Sequence, residues 1–205
     1  WDRYWLVDPL DGTKEFIERN GEFTVNVALI EHGQPILGVV HIPVQDITYT
    51  GATDGGAHKH HHALHEADKV YSIQTRSAAQ RTTQRQPLSV LTSRRHGVEA
   101  LTPVLQQLTL ALGPIATQQA GSSLKLCLIA EGKADLYPRL APTCEWDTAA
   151  AQAVVEAAGG AVLHWQDKEQ ELVRLRYNNK DSLLNPSFYV VGDPLSDWTY
   201  LLRSQ

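Results

Sequence analysis

The stretch that decides the fold is residues 5–13, Trp-Leu-Val-Asp-Pro-Leu-Asp-Gly-Thr. The apolar run at residues 5–7 predicts a buried strand, and the Pro and Gly behind it predict a turn. Asp8 and Asp11 then lie at the end of a strand, where two nearby carboxylates could share hard divalent cations. Gly12 permits a tight turn. Thr13 adds a hydroxyl and an amide at the start of the next helix, where phosphate binds well.

This segment has two interpretations. The first is a site for metal-assisted attack on a phosphate ester, with metal ligands, a phosphate cradle and a hydroxyl near the attacking water. The second is an ordinary turn after a strand, in which Asp11 caps the short helix. Asp147, which opens a helix at residues 145–150, Glu-Trp-Asp-Thr-Ala-Ala, is open to the same choice between helix cap and metal ligand.

The composition excludes several classes of protein. The chain has 205 residues, 42% of them hydrophobic and 20% charged, which is typical of a globular protein rather than a disordered one. Its net charge of -5 argues against a nucleic-acid binder, and it has no apolar run of the roughly 18 residues that a membrane span needs. With two cysteines, a disulfide scaffold is not expected. We expect a cytoplasmic protein, with peripheral association to the cytoplasmic face of the inner membrane left open.

The two halves of the chain differ in their predicted order of strands and helices. Residues 23–30, 35–42 and 47–51 predict strands joined by short turns, hence antiparallel hairpins. Residues 55–65 predict a Gly/His-rich loop, and residues 74–87 an exposed connection. From residue 88 onward, predicted strands alternate with predicted helices. The sequence therefore predicts a layered α/β fold, with a mainly antiparallel sheet unit at 1–86 followed by an α/β unit at 87–205.

The two motifs together resemble a known family. Residues 5–13 followed by Trp146-Asp147-Thr148-Ala149-Ala150 are similar to the signature pair of the inositol monophosphatase-like, lithium-sensitive phosphatases. Residues 11–16, 20–26, 121–125 and 136–139 are closer to the bacterial 3'(2'),5'-bisphosphate nucleotidase branch. The resemblance extends to about residue 191 and implies a sugar-phosphatase-like layered sandwich.

The resemblance also implies the residue roles. Two or three Mg²⁺ ions would be held by Asp8, Asp11, Asp147 and the Leu10 carbonyl, with Asp8 bridging two of them. The amides of Gly12 and Thr13 would hold the scissile phosphate, and the Thr13 hydroxyl would orient the water that attacks directly. Candidates for further substrate contacts are Ser122, Ser123, Lys125 and Arg139. The two serines could instead cap a helix, and the two cations could be surface charges.

The implied reaction is hydrolysis of the 3'-phosphate of adenosine 3',5'-bisphosphate to AMP and phosphate, a step linked to sulfur assimilation. The 3'-phosphoadenosine phosphosulfate nucleotide is a second candidate substrate, and no nucleic-acid partner is implied. Two alternatives stay open. One is an inositol monophosphatase or related sugar phosphatase, and the other is a non-catalytic nucleotide- or partner-binding chain.

Two features stand outside the signatures. The family also uses acidic residues upstream of its Asp-Pro-x-Asp segment, whereas this sequence starts at Trp1, seven residues before Asp8. We therefore expect residues upstream to be missing, and residues 1–205 alone to bind metal weakly and turn over little. The histidines at 58, 60, 61, 62 and 65 could ligate zinc or nickel, but such a run is more typical of a solvated tract.

Overall fold

The computed structural model describes residues 1–63, 67–93, 98–168 and 170–202. His65, one of the clustered histidines, lies outside the described residues. The described residues form twelve strands, which are β1 Arg3–Asp11, β2 Thr24–Glu31, β3 Gln34–Ile42, β4 Ile47–Ala52, β5 Gly56–His61, β6 Lys69–Ile73, β7 Leu88–Ser93, β8 Ile115–Ala120, β9 Leu136–Arg139, β10 Ala161–Gln166, β11 Glu171–Arg174 and β12 Phe188–Val191. They also form six α-helices, which are α1 Thr13–Ile17, α2 Ala78–Thr83, α3 Val98–Leu112, α4 Leu124–Ala130, α5 Ala149–Ala157 and α6 Trp198–Leu201.

The strands form two six-stranded sheets. The first is an antiparallel meander in the order β1-β2-β3-β4-β5-β6. The second has the order β11-β10-β12-β9-β7-β8, in which β7 pairs in parallel with β8 and β9 while the remaining pairs are antiparallel. The predicted fold class, an antiparallel sheet unit followed by an α/β unit, is confirmed.

The two sheets are stacked with helices between them. Helix α5 packs on β2, β3 and β4 of the first sheet and on β10 of the second, and α4 packs on β9 and β12. One buried apolar cluster fills this middle layer, and a second lies between the second sheet and helices α3 and α6. The layers are therefore sheet, helix pair, sheet and outer helices.

Close packing of α5 on the first sheet explains its alanine-rich sequence. Gly38 on β3 and Gly51 on β4 lie directly beneath the helix. A Cβ at Gly38 would lie 2.0 Å from the Ala150 carbonyl oxygen, and one at Gly51 would lie 2.4 Å from Val154 Cα. Only glycine fits there, and the small side chains of α5 let its backbone approach the sheet.

The predicted domain boundary at residues 86 and 87 falls between the two sheets, after β6 and before β7. The buried middle layer, however, takes side chains from both ranges, such as Ala28 and Tyr49 from the first and Val154 and Phe188 from the second. The division into two units stays a prediction. Within the described residues, no helix is both long and apolar enough to cross a membrane.

Several local predictions were wrong. The strand at residues 5–7 was expected to be buried, but β1 is the edge strand of its sheet, and the side chains of Trp5 and Val7 are 59% and 49% exposed. Residues 55–65 were expected to form a loop, but β5 pairs with β4 and β6 on its two sides. Its Gly- and His-rich composition is untypical of a strand, and these neighbouring strands supply the pairing that stabilises it.

Smaller differences have local causes. Residues 74–87, expected to be an exposed connection, contain α2, which begins with a reciprocal capping box between Ser77 and Gln80. Strand β11 was not predicted because it is short and begins and ends with charged residues. A helix over residues 98–108 was expected to start late or to kink because of Pro103, whereas α3 runs from Val98 to Leu112 with this proline inside it.

Candidate active site

A bulge in β1 brings the first two aspartates to the same side of the sheet. In a regular strand, residues three apart point to opposite faces. In β1, Asp8 pairs with Asn26 and Asp11 pairs with Thr24, so β1 has one more residue than β2 between the two pairs. The extra residue lies in the Pro9-Leu10 segment, where a proline without an N–H is tolerated. The bulge therefore turns Asp11 toward Asp8.

The third aspartate comes from the other half of the chain. Asp147 ends a one-turn 3-10 helix, Glu145–Asp147, rather than opening α5 as expected, and its Oδ2 accepts a hydrogen bond of 2.8 Å from the Cys144 amide. Ligand oxygens of Asp8, Asp11 and Asp147 lie within 4.8 Å of one another. Among the described residues, this is the one group of three or more such side chains close enough to hold one ion.

Asp11 is held by hydrogen bonds from two directions. The Ser123 amide donates to its Oδ2 at 2.6 Å, and the Thr24 hydroxyl donates to the same oxygen at 3.2 Å. Asn26 Nδ2 lies 3.5 Å from that oxygen. Within the described part of the chain, no hydrogen bond reaches the other carboxylate oxygen of Asp11, which leaves it for a cation. The neighbouring Asp8 accepts a 2.9 Å hydrogen bond from the Leu10 amide, which keeps the bulge compact.

The charges at this centre are not balanced. Burial, followed by the nearby charges of Asp147 and Asp8, raises the pKa of Asp11 to about 6. Burial raises the pKa of Asp147, and the charge of Asp8 adds to the effect. Clustered carboxylates that resist ionisation favour a bound cation, because the cation replaces their mutual repulsion with attraction. The residues present therefore fit a divalent metal with oxygen ligands.

A cavity of about 240 Å³ opens beside the carboxylates. The predicted site residues among its lining are Asp11, Gly12, Thr13, Ser122, Ser123, Lys125, Arg139 and Asp147. Gly12 precedes α1 with a φ of 87°, a left-handed conformation that suits glycine. Amides in the first turn of a helix have no acceptor within the helix, so those beside Gly12 can donate to a ligand.

The two predicted cations of the cavity differ in their surroundings. Lys125 is buried, and its Nζ donates to the carbonyl oxygens of Ala120 and Ser122 at 3.1 and 2.9 Å while lying 5.2 Å from the centre of the Tyr137 ring. Burial lowers its pKa to about 8. Arg139 uses Nη2 to bond the Pro142 carbonyl at 3.2 Å, whereas its Nε is buried without a hydrogen-bond partner in the described structure.

The sequence left open whether the two serines cap α4, and Ser122 Oγ accepts a 3.5 Å hydrogen bond from the Leu124 amide at the start of that helix. Ser123 lies at the N-cap position, but its Oγ donates to Asn26 Oδ1 at 3.0 Å and lies 2.8 Å from Thr24 Oγ1. Ser122 Oγ donates to the Glu22 carbonyl at 2.5 Å. Both serines therefore connect the loop before α4 to the start of β2.

Sequence reasoning assigned no role to Glu22, Thr24, Asn26 or Tyr137. Glu22 accepts a 2.7 Å hydrogen bond from the Gly121 amide, and Thr24 and Asn26 are buried next to Asp11. The signal for the last two was available in the sequence. They begin a face of β2 that continues with apolar residues, so two polar side chains there require buried partners.

Comparison with known proteins identifies the family to which this chain belongs. The sequence model of the inositol monophosphatase family matches residues 1–192. The chain belongs to this family, a family of metal-dependent phosphatases.

Individual relatives narrow the comparison. The chain is 53% identical over 190 residues to the 3'(2'),5'-bisphosphate nucleotidase CysQ of Escherichia coli K12. The matched residues make up 93% of this chain and 68% of that protein. It is similar to the crystal structure of CysQ from Bacteroides thetaiotaomicron, with a TM-score of 0.78, 40% identity and coverage of 94% and 70% of the two chains. An inositol monophosphatase from Zymomonas mobilis has a TM-score of 0.72 at 25% identity, with coverage of 99% and 70%.

Proposed function

We propose that the protein is a Mg²⁺-dependent 3'(2'),5'-bisphosphate nucleotidase that converts adenosine 3',5'-bisphosphate to AMP and phosphate. The observation that carries the proposal is the convergence of Asp8, Asp11 and Asp147 beside the Gly12-Thr13 turn. The similarity to CysQ proteins named for this activity supports the substrate class. We further propose that the protein acts in the cytoplasm.

The carboxylates and the turn divide the work in this proposal. Asp8, Asp11, Asp147 and the Leu10 carbonyl would hold Mg²⁺, which when bound would activate water and neutralise charge on the phosphate. Gly12 and Thr13 bind the scissile phosphate through their amides, and the Thr13 hydroxyl orients the attacking water. The hydrogen bond from the Ser123 amide keeps Asp11 in place, so this part of the site is held before substrate arrives.

A second phosphate would bind on the cationic side of the cavity. Arg139 is the stronger candidate, because its buried Nε has no partner among the described residues and a guanidinium can donate several hydrogen bonds to one phosphate. Lys125 already donates to two backbone carbonyls of the loop before α4. It contributes its charge and holds the loop that carries Ser122 and Ser123.

The test measures phosphate release from adenosine 3',5'-bisphosphate in the presence of Mg²⁺, with and without Li⁺. The protein assayed includes any residues that its gene encodes before Trp1. Asp8→Asn removes a charge that should contact the metal, so we expect kcat/KM to fall by at least about 100-fold. Asp54→Asn is the matched control, because Asp54 is an exposed residue in the turn between β4 and β5. It should change nothing.

The competing functions give different outcomes in the same assay. Hydrolysis of inositol 1-phosphate in preference to the bisphosphate nucleotide would replace the proposal with a sugar phosphatase. Binding of the nucleotide without release of phosphate would indicate a non-catalytic protein. Equal activity in Asp8→Asn and the unaltered protein would remove the aspartates from the mechanism.

The role of Arg139 is tested with two substrates. Arg139→Ala should lower kcat/KM for adenosine 3',5'-bisphosphate by about 10- to 100-fold, the value of one or two charge-assisted hydrogen bonds. Hydrolysis of adenosine 3'-monophosphate, which lacks the second phosphate, should be unchanged. An equal loss with both substrates would show that Arg139 supports the site as a whole.

A further inference from the structure

A row of histidines lies on the first sheet, away from the active site. His58, His60 and His62 alternate along β5 and the residue after it, so they share one face. Their rings follow one another at centroid separations of 6.4 and 6.3 Å. His41 on β3 extends the row, with its ring centroid 6.2 Å from that of His62. We call these four residues the histidine row.

The histidine row lies on the face of the sheet opposite to α4 and α5. Lys59, between His58 and His60, points to the other face, where its Nζ bonds Glu131 at the end of α4. His61 is also on that other side of the strand and contacts the Tyr71 ring edge-to-face at 5.7 Å. The row is therefore separate from the cavity that contains the aspartates.

Two of the histidines are joined through one threonine. Thr48 Oγ1 on β4 lies 3.0 Å from His41 Nδ1 and 2.8 Å from His62 Nε2. His62 Nδ1 lies 2.7 Å from Asp68 Oδ2, and His60 Nε2 lies 3.0 Å from Thr50 Oγ1. The row is thus part of a hydrogen-bonded arrangement on the surface of the sheet.

The partners determine which nitrogens carry protons in the neutral rings. The Asp68 carboxylate only accepts, so His62 Nδ1 carries the proton and Nε2 accepts from the Thr48 hydroxyl. The Thr48 oxygen then accepts the Nδ1 proton of His41, which leaves His41 Nε2 unprotonated. His41 Nε2 is thus open to a metal, the atom through which imidazole commonly binds one. At His62 and His60 a bound metal would replace the hydrogen bonds of Nε2 with Thr48 and Thr50.

We propose that His41, His60 and His62 form a second metal site, for one divalent transition-metal ion of the zinc class, with Asp68 as a positioning residue. Imidazole nitrogens favour zinc, nickel and copper over Mg²⁺, which prefers oxygen. A carboxylate hydrogen-bonded to the far nitrogen of a ligating histidine is the usual support of such a site.

Binding requires the rings to rotate. Ligand atoms of these histidines lie farther apart than the 4.8 Å limit that the three aspartates meet. The His62 side chain is 40% exposed, so rotation is not blocked by a packed core.

The test is calorimetric titration of the full chain with Zn²⁺, in excess Mg²⁺ so that the carboxylate site is filled. We expect one Zn²⁺ per chain, with the affinity at least about 10-fold lower in His62→Asn. Asp68→Asn, which removes only the support, should lower the affinity by about 10- to 100-fold. His61→Asn is the matched control, because His61 is the neighbour of His62 in the sequence but lies on the opposite face of the sheet. This variant should bind Zn²⁺ as the unaltered protein does.

Absence of saturable Zn²⁺ binding in the unaltered protein would overturn the proposal. So would equal losses in His61→Asn and His62→Asn, or a loss in Asp8→Asn with full binding in His62→Asn, which would assign the zinc to the carboxylates. The absorption spectrum of bound Co²⁺ gives a second readout. It should show nitrogen ligation that disappears in His62→Asn and persists in His61→Asn.

Discussion

Buried carboxylates in two regions of this protein have opposite surroundings. At the active site, Asp11 and Asp147 face Asp8, and burial together with these like charges raises both of their pKa values. Under the first sheet, burial by itself would raise the pKa of Glu131, but hydrogen bonds from Lys133, Tyr49 and Lys59 outweigh it and leave the pKa lowered. The chain supplies the cations that neutralise Glu131 and leaves the active-site aspartates for an external cation.

A second paired carboxylate follows the same rule as Glu131. Asp135 accepts hydrogen bonds of 2.9 and 2.6 Å from Nε and Nη2 of Arg76, and one of 2.7 Å from the Ser89 amide. Both side chains of this ion pair are largely buried. The comparison shows that burial alone does not mark a functional carboxylate. At the active site, the charges of Lys125 and Arg139 offset burial and like-charge repulsion only in part, so the pKa values of Asp11 and Asp147 stay raised.

The largest effect on stability should come from removing the cation that pairs with a buried carboxylate. Arg76→Met leaves Asp135 buried without its partner, and we expect a loss of about 3–5 kcal/mol in the free energy of unfolding. Urea denaturation followed by circular dichroism measures the loss. Arg3→Met is the control, because the Arg3–Glu31 pair is exposed and should contribute less than about 1 kcal/mol. Similar losses in both variants would contradict the role of burial.

Removing one of the active-site carboxylates should raise the stability of the protein rather than lower it. Asp11→Asn abolishes the cost of ionising a buried group, so we expect the protein without Mg²⁺ to become more stable by about 1–3 kcal/mol. Mg²⁺ should stabilise the unaltered protein by binding its folded state, and this gain should vanish in the variant. Thermal unfolding with and without Mg²⁺ measures both effects.

The pH dependence follows from the same pKa. Between the ordinary value of 3.8 and about 6, folded Asp11 keeps a proton that the unfolded chain has released. The folded state then binds more protons, so its stability falls as the pH rises through this window. Asp11→Asn should lack that fall. A fall of equal size in the variant would assign it to other groups.

The sequence predicted the components of the active site better than their arrangement. Residues 5–13 and Asp147 identified the three carboxylates, because their chemistry is local to the motifs. The bulge that turns Asp8 and Asp11 to one side was not predicted, although Pro9 is a signal for it. That β1 lies at the edge of its sheet, with Trp5 exposed, depends on strand order, which no local pattern contains.

The histidine row illustrates a similar limit. The composition of residues 55–65 indicated a loop, and the strand there is stabilised by pairing with β4 and β6. The hydroxyl groups of Thr48 and Thr50 on β4 hold three of the imidazoles, yet they are 7 to 14 residues away along the chain. Contacts between strands, which decide both the secondary structure and the chemistry, are not visible from within the segment.

The smallest expected effect is the difference in unfolding free energy between removing one or the other of two cations that contact the same carboxylate. Lys59 and Lys133 both contact Glu131, but the Lys59 side chain is 12% exposed and that of Lys133 is 54% exposed. Lys59→Met should cost about 1–2 kcal/mol, because Glu131 keeps its other partners but loses a buried one. Lys133→Met should cost less than about 1 kcal/mol, since water replaces an exposed ammonium group. Urea denaturation of both variants measures the difference. Equal costs would show that the number of cations on Glu131, rather than their burial, sets the stabilisation of this carboxylate.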